Sequence, residues 1–530
     1  MITEPDTLEQ LNAPQLRELA LGLMTALNQR DKDLQHKEQD IQFKAARIAQ
    51  LSHEIAILRR HRFGQKSEQF SGAQAHLFEE TIGADLEAIE QELQALQPEA
   101  APRKPRAQPK RQMLAAHLPR VEYRHEPGST VCPCGCQLRR IREDVSEKLD
   151  YTPGTFSVER HIRGVWACPE CETMSQAPMP AHLIDKGLAA VGLLAHILVS
   201  KYCDHLPLYR LEAIFKRDGM HVPRSSMAQW VGQCGHALQP LVEALQRCVL
   251  SHGVLHADET PVRMLDPGSG KTHKAYLWAY APGKFESLKA VVYDFHEGRA
   301  GEFARQFLGE WKGKLVVDDY SGYKASFRQG ITEIGCMAHA RRKLFELYTS
   351  SKSPVAEYAV QRIGELYEIE RQALELTAKQ RYRLRQEKAK PLAEKLHEWM
   401  QAQRQRVLDG TATAKALDYS LNRWVALTRY LDDGQVPIDN NTIEQQIRPV
   451  AIGRSNWLFA GSLRAGKRAA AIMSLIQSAK LNGLNPYDYL RDVLQRLPTH
   501  LDSRIDELLP HNWKPLTVAE IGPVVQKIPA

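Results

Sequence analysis

The chain changes its hydrophobic period along its length. Between residues 13 and 58 apolar positions recur every seven residues. Leu27, Leu34, Ile41, Ile48 and Ile55 form one seam, and Leu16, Leu23, Leu51 and Leu58 form the other. No proline interrupts Gln15 to Leu96. Ile or Leu on one seam with Leu on the other is coiled-coil packing, and a seven-residue period held this long predicts self-association. Lys37 and Lys44 fall on the second seam and weaken its middle. A shorter series, Ile82, Leu86, Ile89, Leu93 and Leu96, follows a break marked by Gly64 and Gly72. Residues 187–250 have a helical period. There Leu206 to Phe215, a turn at Asp218-Gly219 and Ser225 to Val231 have the layout of a helix-turn-helix, with Ser225 and Ser226 placed to cap the second helix. An ordinary helical pair has the same pattern.

From residue 250 the period is that of strands. Val249 to Ala257 is apolar and ends at Asp258. Thr272 to Tyr280 alternates, Leu288 to Phe295 is a third strand, and Gly298 to Leu308 reads as a helix. Leu315 to Val317 is a fourth strand ending at Asp318, and Glu333 to Cys336 a fifth. This is the element order of an RNase H-like fold, whose first and fourth strands lie side by side. Acids at their ends then converge. A helical stretch from about 340 to 430 follows, then VPIDNNTIEQQIRP, where Asp439 and Asn440 are good caps for a helix carrying Glu444 near its start.

Composition narrows the reading. Of 530 residues, 43% are hydrophobic and 25% charged, ordinary for globular protein, and the length suits several domains. The longest apolar run, Leu188 to Val199, is too short to span a bilayer, and the N-terminus has no secretory pattern. The expectation is a cytoplasmic protein with no membrane partner. Nine cysteines are too few for a disulfide scaffold, and five fall between residues 132 and 171. Such clustering points to metal. Cys168 and Cys171 have knuckle spacing. Cys132, Cys134 and Cys136 are compressed, and spacing does not choose among them. The assignment made here is a structural Zn2+ on Cys132, Cys134, Cys168 and Cys171, with Cys136 left over.

The net charge of +7 is mild, but it is unevenly spread. Residues 97–112 hold four prolines, five basic residues, among them Arg103, Lys104 and Arg106, and one acid, which makes an extended basic linker. From Gln445 to Tyr487 there is no acid, while Arg448, Arg454, Arg464, Lys467, Arg468 and Lys480 occur there. Arg341, Arg342 and Lys343 form another cluster, and Trp457 and Phe459 add aromatics able to stack on unpaired bases. This is the footprint of a nucleic-acid surface. Beside it, three carboxylates in one cleft would repel one another unless cations neutralised them, and two Mg2+ ions there would support in-line attack on a phosphodiester, with Mn2+ as a substitute. Spacing alone does not choose between Asp258 and Glu259, or between Asp318 and Asp319.

At these residues the chain resembles transposases of insertion-sequence family sixty-six over nearly its whole length. Arg59 to Glu68 resembles the family's Arg-Arg-x-x-Phe-Gly-x-x-Ser-Glu signature. EDVSEKLDYTPGTFSVERHIRG with ACPEC resembles its zinc finger, and KYCDHLPLYRLEAIFKRDG its next block. HADETPV, VVDDYSGY, GCMAHARRKLFEL and IDNNTIEQQIRPVAIGRSNWLFAGS resemble its catalytic motifs in order, and LNGLNPYDYL and LLPHNW its C-terminal element. The resemblance implies an Asp-Asp-Glu triad of Asp258, Asp318 and Glu444 that ligates the magnesium ions. Asp319 stands where the family usually has Gly, and CPCGC departs from the commoner Cys-x-x-Cys. Cys336 and His339 match a Cys-x-x-His motif of related enzymes, which implies a structural role or a contact to the DNA end.

The expected architecture is multidomain α+β. Residues 1–96 form a dimerising coiled coil, 97–112 a linker, 113–182 a zinc-binding β module and 183–250 a helical block. Residues 251–480 form an RNase H-like α/β catalytic domain with a helical insertion, and 481–530 a C-terminal element. The expected activity is cleavage of terminal inverted repeats and joining of the 3′-OH to target DNA. The expected partners are DNA, a second copy of the chain or a higher oligomer, and accessory proteins of the same element. Two alternatives remain: a nuclease or resolvase that cuts without joining, and an inactive zinc-dependent DNA-binding protein.

Overall fold

A computed structural model describes residues 13–63, 83–93, 96, 114, 118–126, 129, 131, 136–152, 154–184, 187–266 and 271–515. Two compact units emerge. Of the described residues, the first takes in 13–63, 89–93 and 96. Its main element is one helix, α1 (Ala13–Phe63). Leu21, Met24, Leu27, Leu34 and Ile41 are exposed along it, whereas Leu51 is fully buried. Arg47 on α1 pairs with Glu92 at 2.6 Å.

The second unit contains the described residues 83–88 and those from 114 onward. Its first sheet has β1 (Arg120–His125), β2 (Arg139–Thr152), β3 (Thr155–Ala167) and β4 (Met174–Gln176). β3 is central: β2 pairs antiparallel along its whole length, while β1 and then β4 take the other edge. Helices α2 (Val191–Tyr202), α3 (Leu208–Arg217), α4 (Arg224–Ala237) and α5 (Gln239–Leu250) follow.

The turn between α3 and α4 uses Gly219 at φ +83°, a left-handed backbone that glycine adopts without strain. The cap differs from expectation. α4 starts at Arg224 with Pro223 before it, and neither Ser225 nor Ser226 caps it, because the rigid φ of proline already sets the helix entry. Only Ser225 and Gln229 of α4 are exposed.

The second sheet has β5 (Val254–Asp266), β6 (Lys271–Pro282), β7 (Val292–His296), β8 (Lys314–Val317) and β9 (Thr332–Gly335), in the order β7-β6-β5-β8-β9. β5, β6 and β7 are antiparallel neighbours, and β8 and β9 join parallel to β5. Helix α6 (Gly301–Leu308) connects β7 to β8. After β9 come α7 (Met337–Ser351), α8 (Pro354–Gln372), α9 (Ala378–Leu384), α10 (Lys390–Arg404), α11 (Ala412–Asn422) and α12 (Trp424–Thr428), with their own apolar core. In that layer Arg385 is fully buried. It is held by both carboxylate oxygens of Glu370, at 2.8 and 2.6 Å, and by the carbonyls of Tyr430 and Asp433.

Helices α13 (Asn441–Trp457), α14 (Leu463–Leu481) and α15 (Pro486–Arg496) return to the sheet. α14 covers the edge strand β7: the Ser474 and Ser478 hydroxyls accept the Tyr293 and Val291 N–H groups at 2.8 and 3.0 Å. Those backbone groups would otherwise be an unpaired edge. Gly466 permits this approach, since a Cβ there would sit 2.2 Å from the Phe295 ring. Farther along α14, Arg468 pairs with Asp85 at 2.9 Å, both side chains being buried. Losing either partner of such a pair costs about 3–5 kcal/mol, because the other charge stays buried.

Candidate active site

β5 and β8 run parallel with Leu255 opposite Leu315 and His256 opposite Val316. Continuing that register two residues sets Asp258 beside Asp318, the residue immediately after β8. The sequence reading ended the first strand at Asp258. In the structure β5 starts later, at Val254, and runs on to Asp266, because β6 keeps pairing with it after β8 has stopped. Asp258 therefore lies mid-strand, just past the point where β5 loses its parallel neighbour.

Successive strand residues point to opposite faces, and that separates the two neighbouring acids. The Glu259 carboxylate is enclosed. It receives Arg299 Nε at 2.7 Å and the Tyr323 hydroxyl at 3.1 Å. Asp258 Oδ1 accepts the Glu259 N–H at 2.8 Å. Its carboxyl is pushed up to about 8, first by burial, then by the charge of Glu259, with Asp318 and Glu444 adding to it. The acids that add to this rise repel one another, and a bound cation would relieve that repulsion. The second pair is also separated. Asp319 is ion-paired to Arg423, which also holds Glu333 at 2.9 Å and donates to the Asp318 carbonyl at 3.2 Å. Asp318 Oδ1 accepts the Tyr320 N–H at 2.9 Å.

Glu444 comes from the first turn of α13. Asn440 precedes that helix, as expected, but its side chain does not cap it. Instead Nδ2 donates to the Ala257 carbonyl at 2.9 Å, and Oδ1 lies 2.7 Å from His256 Nδ1. An amide oxygen only accepts, so His256 carries its proton on Nδ1. Burial pushes His256 down to about 4, which keeps it neutral. The Asn440 N–H also donates to Cys336 Sγ at 3.2 Å. The start of α13 is thus pinned to the backbone beside Asp258. Glu444 Oε1 lies 3.7 Å from His339 Nδ1, and Oε2 lies 3.5 Å from Arg342. Nothing in the spacing pointed to His256, Arg299 or Arg423, since each partner is far away in sequence.

The basic residues divide. Arg342, Arg448 and Lys467 are exposed, and Arg341 is half-buried over the Phe345 ring. Arg454 is turned inward, donating to Thr260 Oγ1 at 3.3 Å and to the Pro261 carbonyl. Arg468 is a correction. It was expected on the DNA surface, but it is buried and spent on Asp85. Phe459 is a correction too: it is buried against Leu265 and Tyr209, where hydrophobic burial outweighs base stacking. Trp457 is half-buried, packs against the core and lines an apolar cavity of about 80 Å³ with Tyr202 and Phe295. Arg103, Lys104 and Arg106 lie outside the described residues.

In the first sheet, Cys168 is buried and Cys171 exposed at the turn after β3. Cys132 and Cys134 lie outside the described residues. Cys136, left over in the sequence reading, packs with Leu138 and Trp166 against Cys168. Among the described residues no helix is long and apolar enough to cross a membrane.

Residues 186–468 match the family described as Transposase IS66 family, which spans the acids and the sheet that positions them. Residues 474–511 match the IS66 C-terminal element, and residues 129–172 the zinc-finger binding domain of transposase IS66. Residues 50–122 match Transposase C of IS166 homeodomain. The chain is similar to three uncharacterized proteins of Sinorhizobium fredii. It is 40% identical to y4qI over 88% of this chain and 90% of that protein. It is 38% identical to y4jD over 76% and 81%, and 36% identical to y4hP over 74% and 75%. The class is therefore that of DNA-binding insertion-sequence transposases with a zinc finger. Within it, the chain belongs to the IS66 transposase family.

Proposed function

We propose that this transposase cleaves the terminal inverted repeats of its element and joins the freed 3′-OH to target DNA, using Asp258, Asp318 and Glu444. The observation that carries this reading is the register of β5 and β8, which sets Asp258 beside Asp318, with α13 pinned through Asn440 to the strand that holds Asp258. The strand order β7-β6-β5-β8-β9, three antiparallel and two parallel, supports an RNase H-like catalytic domain. The clustered carboxylates are hard oxygen ligands whose mutual repulsion suits divalent cations such as Mg2+ or Mn2+. When bound, a pair of them supplies activation of the attacking oxygen and stabilisation of the leaving one.

The chain's own residues do the rest. Asp258, Asp318 and Glu444 fix where the scissile phosphate sits. Arg423 holds Asp319 aside, and Arg299 holds Glu259 aside, so neither competes for that position. Arg341, Arg342, Arg448 and Lys467 contact phosphates, and such contacts position DNA without reading its sequence. The linker with Arg103, Lys104 and Arg106, together with the zinc module, holds the inverted repeats. Cys168 and Cys171 supply two zinc ligands. The other two come from Cys132, Cys134 and Cys136, and the packing of Cys136 against Cys168 favours including it. α1 pairs two protomers, one per transposon end. The protein works where its DNA is, at the bacterial nucleoid.

The test uses DNA carrying the element's ends. Glu444→Gln should bring Mg2+-dependent cleavage down to background while DNA affinity stays within about twofold. Unchanged cleavage would remove Glu444 from the site. Cleavage by the wild type without any joined product would make the protein a nuclease.

A further inference from the structure

We propose that Cys336, His339 and Glu444 form a binding site for a thiophilic divalent cation such as Zn2+, separate from the zinc module. The Cys336 sulfur, a ring nitrogen of His339 and a carboxylate oxygen of Glu444 all lie within 4.8 Å of one another. Two helix starts build the site. Cys336 immediately precedes α7 and His339 sits in its first turn, while Glu444 sits in the first turn of α13. The Asn440 N–H donating to Cys336 Sγ at 3.2 Å ties one helix start to the other. Hydrogen bonds of this kind orient a metal-bound thiolate and tune its basicity.

Two unmet groups point to a ligand. His339 Nδ1 and Glu444 Oε1 are both buried, 3.7 Å apart, and neither makes a hydrogen bond. Buried polar atoms left this way are uncommon in a folded protein, and an ion is one of the standard explanations. The donor set then selects the ion. Thiolate, imidazole and carboxylate together are ligands for zinc, whereas magnesium takes oxygen alone. Three protein ligands leave a fourth position open to water. Arg342 lies 3.5 Å from the other Glu444 oxygen, Oε2, and so leaves Oε1 to the ion.

The site shares Glu444 with the acid cluster. A thiophilic ion bound here draws that carboxylate away from Asp258 and Asp318, so Zn2+ would inhibit the Mg2+ reaction. That consequence rests on the function proposed above; the site itself does not.

The test is zinc content per chain after equilibration of the full-length protein in buffered Zn2+. Cys336→Ser and His339→Ala should each hold one equivalent fewer than wild type, and equal content would overturn the site. His339→Ala leaves the buried Cys336 in the core, so it keeps the test valid if the cysteine variant does not fold. With Co2+ in place of zinc, the wild-type spectrum minus that of His339→Ala should contain a thiolate-to-cobalt band. A flat difference would also overturn the site. Loss of the equivalent in a protein that shows no cleavage under any condition would sink the proposed function and leave this site standing.

Discussion

Lys201, on α2, is half-buried. Part of its side chain reaches the surface, yet burial, and then the charge of Arg468, push its pKa down to about 7. Between about 7 and the ordinary 10.5 the unfolded chain holds a proton that the folded chain does not. Below 7 both states hold it, so folding carries the full desolvation cost there, and stability rises as pH climbs through that window. Lys201→Met keeps the bulk and removes the charge. It should raise the melting temperature by several degrees at pH 6, at roughly 2–4 °C per kcal/mol in a domain this large, and by little at pH 10. An equal gain at both pH values would mean that the ammonium is solvated. At this same scale the sequence had stopped at two ambiguous pairs, Asp258 with Glu259 and Asp318 with Asp319. Their separation depends on Arg299 and Arg423, which no local pattern connects to them. Resemblance assigns Asp258 and Asp318 from motif position alone.

Elements were more legible than their ends. All five strands of the second sheet were visible from period and β-branched content, and so were the helix between the third and fourth and the helical stretch that follows. β5 was misjudged because hydrogen bonds to β6, which hydrophobicity does not register, carry it past Asp258. α14 was read as a basic segment from its acid-free composition, but Arg468 is turned into the core by Asp85, a partner almost four hundred residues earlier. The seven-residue period of α1 was legible along one seam, with Lys37 and Lys44 interrupting the other. Under the self-association proposed above, its exposed Leu27, Leu34 and Ile41 are the row a second copy covers. Light scattering on a chain lacking residues 1–63 should therefore give about half the mass of the full-length assembly. A deletion that still runs at the full oligomer would place self-association elsewhere.

At the scale of the whole molecule, the chain uses distance in sequence to build a compact site. Asp258 comes from one strand, Asp318 from the loop after its parallel neighbour, and Glu444 from a helix reached only after the α7–α12 layer. Each contributes a carboxylate that would be unremarked alone. Burial first, then Glu259, with Asp318 and Glu444 adding to them, push Asp258 up to about 8. The mild overall charge hid the basic residues around the site, since acids elsewhere in the chain offset them. The central claim is that Asp258, Asp318 and Glu444, and not their neighbours, carry the chemistry on DNA. A strand-transfer assay on end-sequence DNA, run with Asp318→Asn beside Asp319→Asn, tests it most directly. The account predicts that Asp318→Asn yields neither cleaved nor joined product while Asp319→Asn yields both. Joined product from Asp318→Asn, with none from Asp319→Asn, would contradict it.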